Sequence, residues 1–63
     1  MCLSTVYMGE INEDNIIARE ANFVEAKNGA VTVTTLFGES NTLTDCVINT
    51  VNLTDGQVIL KKK

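Results

Sequence analysis

Apolar and polar residues alternate with a period of two along most of this chain, the spacing of strands whose successive side chains point to opposite faces. From Cys2 to Met8, Leu3, Thr5 and Tyr7 face one way and Cys2, Ser4, Val6 and Met8 the other, so both faces of this strand expect partial cover. A polar turn region runs from Gly9 to Asp14. Ile16 to Arg19 and Asn22 to Ala26 then read as strands, although Ala18 to Ala21 alone also tolerate a helical turn. Asn28-Gly29 supplies two residues that accept positive φ, and the β-branched run Val31 to Leu36 follows at once, which predicts a hairpin. Phe37 to Asn41 breaks the pattern. Thr42-Leu43-Thr44 predicts a short strand with its leucine inward, Val47, Val51 and Leu53 mark another, and Asp55-Gly56 turns the chain into a last strand from Gln57 to Leu60. Five or six short antiparallel strands with no proline predict an all-β fold, a small barrel that hides its strand edges by closure, with little helix.

Sixty-three residues make one domain, 1–63, whose core is small enough that oligomerisation is the expected support. The chain opens on Met1-Cys2-Leu3-Ser4 with no charged and apolar leader and has no apolar run of about 20 residues, so it reads as a cytoplasmic protein with reduced thiols. Its formal charge of −3 and the lack of aromatics among basic residues argue against nucleic acid, since that affinity rests largely on neutralised phosphates. The cluster Lys61 to Lys63 reads as a solvated tail. With no histidine, the chain lacks imidazole metal ligands and the commonest general base, and no catalytic constellation remains, so it does not read as an enzyme.

The chemistry that remains is at the start. Cys2 lies within reach of the amino terminus, so its thiolate can join the terminal amine and an intervening amide in small chelate rings that suit a soft divalent metal. Removal of Met1 decides which residue owns the amine. The residue type also admits a plainer reading, in which Cys2 is a small hydrophobe opening a strand. One thiol and one amine leave a four-coordinate metal short of donors, and a two-fold dimer supplies them from a second chain. Mixed nitrogen and sulfur donors in a square plane suit Ni(II) or Cu(II). Cys46, forty-four positions on, forms no zinc-ribbon pair with Cys2 and is expected to be buried. Glu10, Glu13 and Asp14 share a loop but lack the alternating oxygen ligands of a calcium site, so they read as a solvated acidic loop.

The opening Met1 to Tyr7, the central Gly29 to Glu39 and the closing Val51-Asn52-Leu53 with Val58-Ile59-Leu60 resemble the CooT family, very small proteins linked to nickel delivery for carbon monoxide dehydrogenase. The resemblance spans nearly the whole chain. It implies an SH3-like barrel, a homodimer, and one Ni(II) held between the subunits with Cys2 of each chain as ligand. Only Cys2 carries over as a metal ligand; Leu3 and Ser4 carry over as its backbone neighbours, and Cys46 has no counterpart in the family pattern. Asn52 stands where members often have an aspartate. The expected function is therefore a nickel metallochaperone or carrier, with a nickel enzyme such as carbon monoxide dehydrogenase or its maturation factors as partner. The rival is a small interaction module, binding RNA or protein through an SH3-like surface, in which Cys2 is incidental. A third reading, an exposed redox thiol, predicts rapid alkylation of Cys2.

Overall fold

The computed structural model describes residues 3–63, so the first strand's expected beginning at Cys2 lies outside the described residues. Six strands form one sheet: β1 (Ser4–Met8), β2 (Ile16–Lys27), β3 (Ala30–Thr35), β4 (Ser40–Thr44), β5 (Cys46–Asn52) and β6 (Gln57–Lys62), in the order β4-β3-β2-β1-β6-β5. The sheet is all-β and curls into a half-barrel, and its only helix is a single 3₁₀ turn, Glu13–Asn15, capped by the Asn12 side chain, among the described residues. The small-barrel expectation is met. One ladder departs from the antiparallel pattern: β1 and β6 run parallel, Val6 beside Val58 and Met8 beside Leu60. Parallel neighbours need a long crossover, and here the four intervening strands provide it.

Local chemistry sets the turns. Lys27 pairs with Ala30 across Asn28 (φ 53°) and Gly29 (φ 78°), a two-residue connection with both central residues left-handed, the geometry that matches strand twist. The two segments expected between Ile16 and Ala26 are instead one 12-residue strand. It bends at Glu20, whose φ is 58°, where β2 takes three steps from Ala18 to Ala21 against two on β1 from Val6 to Ser4. Such a bulge increases twist and lets one strand serve both halves of a curled sheet. The opposite corner is a single residue, Asp45 (φ 57°); its carbonyl accepts from the Lys63 N–H at 3.0 Å, while the Cys46 N–H donates to the Gly29 carbonyl at 3.3 Å. These bonds draw the β2–β3 hairpin tip toward the start of β5.

The core consists of Val6, Ala18, Ala21, Val31, Val33, Cys46, Val58 and Leu60, with Ile17, Leu43 and Ile48 among the residues packed around it. Val31, Val33 and Thr35, and likewise Val58 and Leu60, are buried alternately along their strands as the period of two requires. No aromatic side chain belongs to this core: Tyr7 is half-buried and Phe23 and Phe37 are exposed. Leu53, read as part of a strand, falls beyond the end of β5 and is exposed.

Candidate metal centre

The strand that follows Cys2 is fixed at its first residues from both sides. Ser4 pairs with Ala21 on β2 and Thr5 with Gln57 on β6, and the Thr5 N–H donates to the Gly56 carbonyl at 2.8 Å. Gly56 is required there twice over. Its φ of 67° lies in the left-handed region, and a Cβ at this position would stand 3.0 Å from the Leu3 carbonyl oxygen, close enough that the backbone would have to give by a few tenths of an ångström. The chain therefore presses Leu3 directly against the turn between β5 and β6.

That turn is organised by Asn52. Its Oδ1 accepts from the backbone N–H of Thr54 at 3.1 Å and of Asp55 at 3.0 Å, while its Nδ2 donates to the Asp55 carboxylate at 3.1 Å. An asparagine does here what an aspartate could do only in part, because a carboxylate accepts both backbone protons but has no N–H for Asp55. Asn52 thus shapes the turn that carries Gly56 to Leu3. Spacing alone could have flagged Asn52-x-x-Asp55 as an Asx turn, but not the strand it supports.

Cys2, the expected metal ligand, lies outside the described residues; its neighbours Leu3 and Ser4 are both half-buried. The second thiol is elsewhere. Cys46 is 2% exposed, its Sγ donates to the Leu43 carbonyl at 3.4 Å, and it pairs with Lys62. Lys62 is five residues beyond Gln57, about 17 Å along β6 from where β1 begins. Cys46 is a buried core residue, as expected, and belongs to the opposite end of the sheet. Glu10, Glu13 and Asp14 are exposed, and no group of three or more His, Cys, Asp or Glu side chains is placed to hold a metal among the described residues.

The family model described as CO dehydrogenase accessory protein CooT matches residues 1–61, a span that takes in Cys2, the pinned start of β1 and the Asn52 turn. The chain belongs to the CooT family. A crystal structure provisionally described as CooT from Carboxydothermus hydrogenoformans shares its fold, with a TM-score of 0.81 over 98% of each chain at 11% sequence identity. Comparison with curated proteins gives no match. The family is described as one of carbon monoxide dehydrogenase accessory proteins, which supports a maturation-related role. No helix among the described residues is long and apolar enough to cross a membrane.

Backbone pairing also ties the start of β1 to the strands beyond it. Ala21 pairs with Ser4 on one side and Thr35 on the other, so Ser4, Ala21 and Thr35 form a row across three strands. Leu36 continues that end, its N–H donating to the Glu20 carbonyl at 2.8 Å. The pinned strand end, the β2 bulge and the turn after β3 thus share one rim. The bulge was not legible beforehand, since a glutamate carries no signal for positive φ.

Proposed function

We propose that this chain binds Ni(II) through Cys2 at the interface of a homodimer and carries the metal for the maturation of a nickel enzyme. The observation that carries the reading is the family match across residues 1–61, a span that includes Cys2. Donor chemistry supports it. With no histidine in the chain, the soft donors available to a metal at the start of β1 are the Cys2 thiolate, the terminal amine and backbone amides. One chain supplies too few of them, and a second copy related by two-fold symmetry doubles the thiolates and nitrogens around a single ion. Dimerisation also buries surface that a 63-residue chain cannot bury by itself. Nickel is cargo in this scheme.

Native mass spectrometry with one equivalent of Ni(II) per dimer, run beside Cys2→Ser, tests the reading. A dimer that gains one nickel only when Cys2 is present supports it, and the Cys2→Ser protein should keep the wild-type circular dichroism spectrum. Nickel uptake equal in the two proteins, or none in the wild type, would remove the metal role and leave the interaction module.

A further inference from the structure

The metal reading leaves unused a groove of about 490 Å³ between β2 and the turn after β3, lined by Ile16, Ile17, Ala18 and Phe37 together with Glu20 and Glu39. Phe37 is 75% exposed, yet the turn that presents it is held by hydrogen bonds from its backbone N–H groups. The Gly38 N–H donates to the Thr35 carbonyl at 3.0 Å, the Phe37 N–H donates to Thr35 Oγ1 at 3.3 Å, and Thr35 itself is buried. An aromatic ring held in water by an ordered turn, beside an apolar trough, is a surface shaped for a partner. The charges narrow the choice. The N–H groups of the consecutive residues Thr35 and Leu36 donate to the carbonyls of Glu39 and Glu20, each at 2.8 Å, so the end of β3 fixes one glutamate on either side. The one cation of the lining, Arg19, is shared with the neighbouring groove around Tyr7.

We propose that this groove docks a segment of a partner protein in which an apolar side chain is followed by a lysine or arginine. The apolar side chain packs on Phe37 and Ile17, and the cation is met by Glu20 and Glu39. Phosphate-bearing partners are repelled by the same two carboxylates. A second copy does not offer the segment, because its run from Ile59 to Lys62 is committed to β6, with Ile59 paired to Tyr7 and Thr50 and Lys62 to Cys46. The proposal deepens the carrier reading, naming how a receiving protein is held, and rests on that reading for this purpose alone.

The test selects phage-displayed random 12-residue peptides on the wild-type protein and counter-selects on Phe37→Ser, with nickel uptake measured on the same preparations. Selected peptides should share an apolar residue next to a lysine or arginine. A synthetic consensus peptide should shift the amide resonances of Ile17, Glu20, Phe37 and Glu39. Phe37→Ser should weaken that peptide about tenfold or more, and Glu39→Gln should weaken it severalfold, the latter effect shrinking at high salt. Peptides without a basic residue, binding that survives Phe37→Ser, or shifts confined to other strands would overturn the proposal. A Phe37→Ser protein that changes oligomeric state in sedimentation would also overturn it, assigning the surface to a second copy. Both substitutions are at exposed turn positions and are checked by circular dichroism. Cys2-dependent nickel uptake is a separate readout: its failure sinks the carrier reading and leaves the peptide result standing, whereas failed selection with intact uptake sinks only the groove.

Discussion

Replacing Gly56 with alanine tests whether the start of β1 is held as the structure shows, and Gly38→Ala is its control. Both glycines have left-handed φ, 67° and 85°. A Cβ at Gly38 would meet nothing within 4 Å, whereas at Gly56 it would stand 3.0 Å from the Leu3 carbonyl oxygen. Each alanine incurs the left-handed penalty of about 1–2 kcal/mol, offset by about 0.4–1 kcal/mol from a less flexible unfolded chain. Gly38→Ala should therefore cost roughly 0–1.6 kcal/mol. Gly56→Ala adds the clash with a backbone atom, for which overpacking of about 1–3 kcal/mol is the guide, giving roughly 1–4.6 kcal/mol in all. A chain of 63 residues has a total stability of roughly 3–9 kcal/mol, so the variant's loss shows as a large drop in the urea midpoint. Urea unfolding of both variants, followed by nickel titration of each, is the assay. A Gly56→Ala protein no less stable than Gly38→Ala refutes the packing of Leu3 against Gly56. A protein that loses the expected stability but binds nickel as tightly as the wild type refutes the idea that this packing positions the metal ligand.

Two further substitutions separate the ends of the molecule. Asn52→Ala removes three side-chain hydrogen bonds of an exposed turn and should cost about 1–2 kcal/mol in urea unfolding, with a smaller loss for Asn52→Asp, which keeps the two backbone acceptors. Cys46→Ser places a hydroxyl in the core and should cost about 1–3 kcal/mol by the same measurement while leaving nickel stoichiometry unchanged, because Cys46 lies at the far end of β6.

Much of the fold could be read from local signals because those signals are local. Asn28-Gly29 makes its turn whatever surrounds it, and the alternation in Val31 to Thr35 and Val58 to Leu60 selects the buried face without reference to partners. The burial of Cys46 followed from residue type. What escaped prediction is non-local. The continuity of β2 through Glu20 depends on closure of the sheet, which makes a glutamate accept a φ of 58°. The parallel ladder joins the two ends of the chain, and no short stretch encodes a pairing of Val6 with Val58. The same applies to the site. Cys2 was legible as chemistry because a thiol beside an amine is a property of adjacent residues. The groove was not, since Ile17 and Phe37 meet only after β2 and the turn beyond β3 are brought side by side.

The position of that groove has a kinetic consequence. Ser4, Ala21 and Thr35 lie in one row, so the turn carrying Phe37 begins two strands from β1, about 10 Å away, and Cys2 is only two residues before Ser4 in sequence. A segment seated against Phe37 thus holds its own flanking residues near the amino terminus at an effective concentration on the order of millimolar. Nickel transfer to a groove-binding peptide extended by a short histidine-containing chelator should then be faster than transfer to the free chelator at equal micromolar concentration. Phe37→Ser should erase that advantage while leaving transfer to the free chelator and the nickel stoichiometry as they were. Stopped-flow absorbance of the nickel–thiolate band reads both rates. Equal rates for tethered and free chelator would mean that docking and metal release are independent, and the shared rim of the pinned strand and the groove would then reflect only how a short bulged sheet must close.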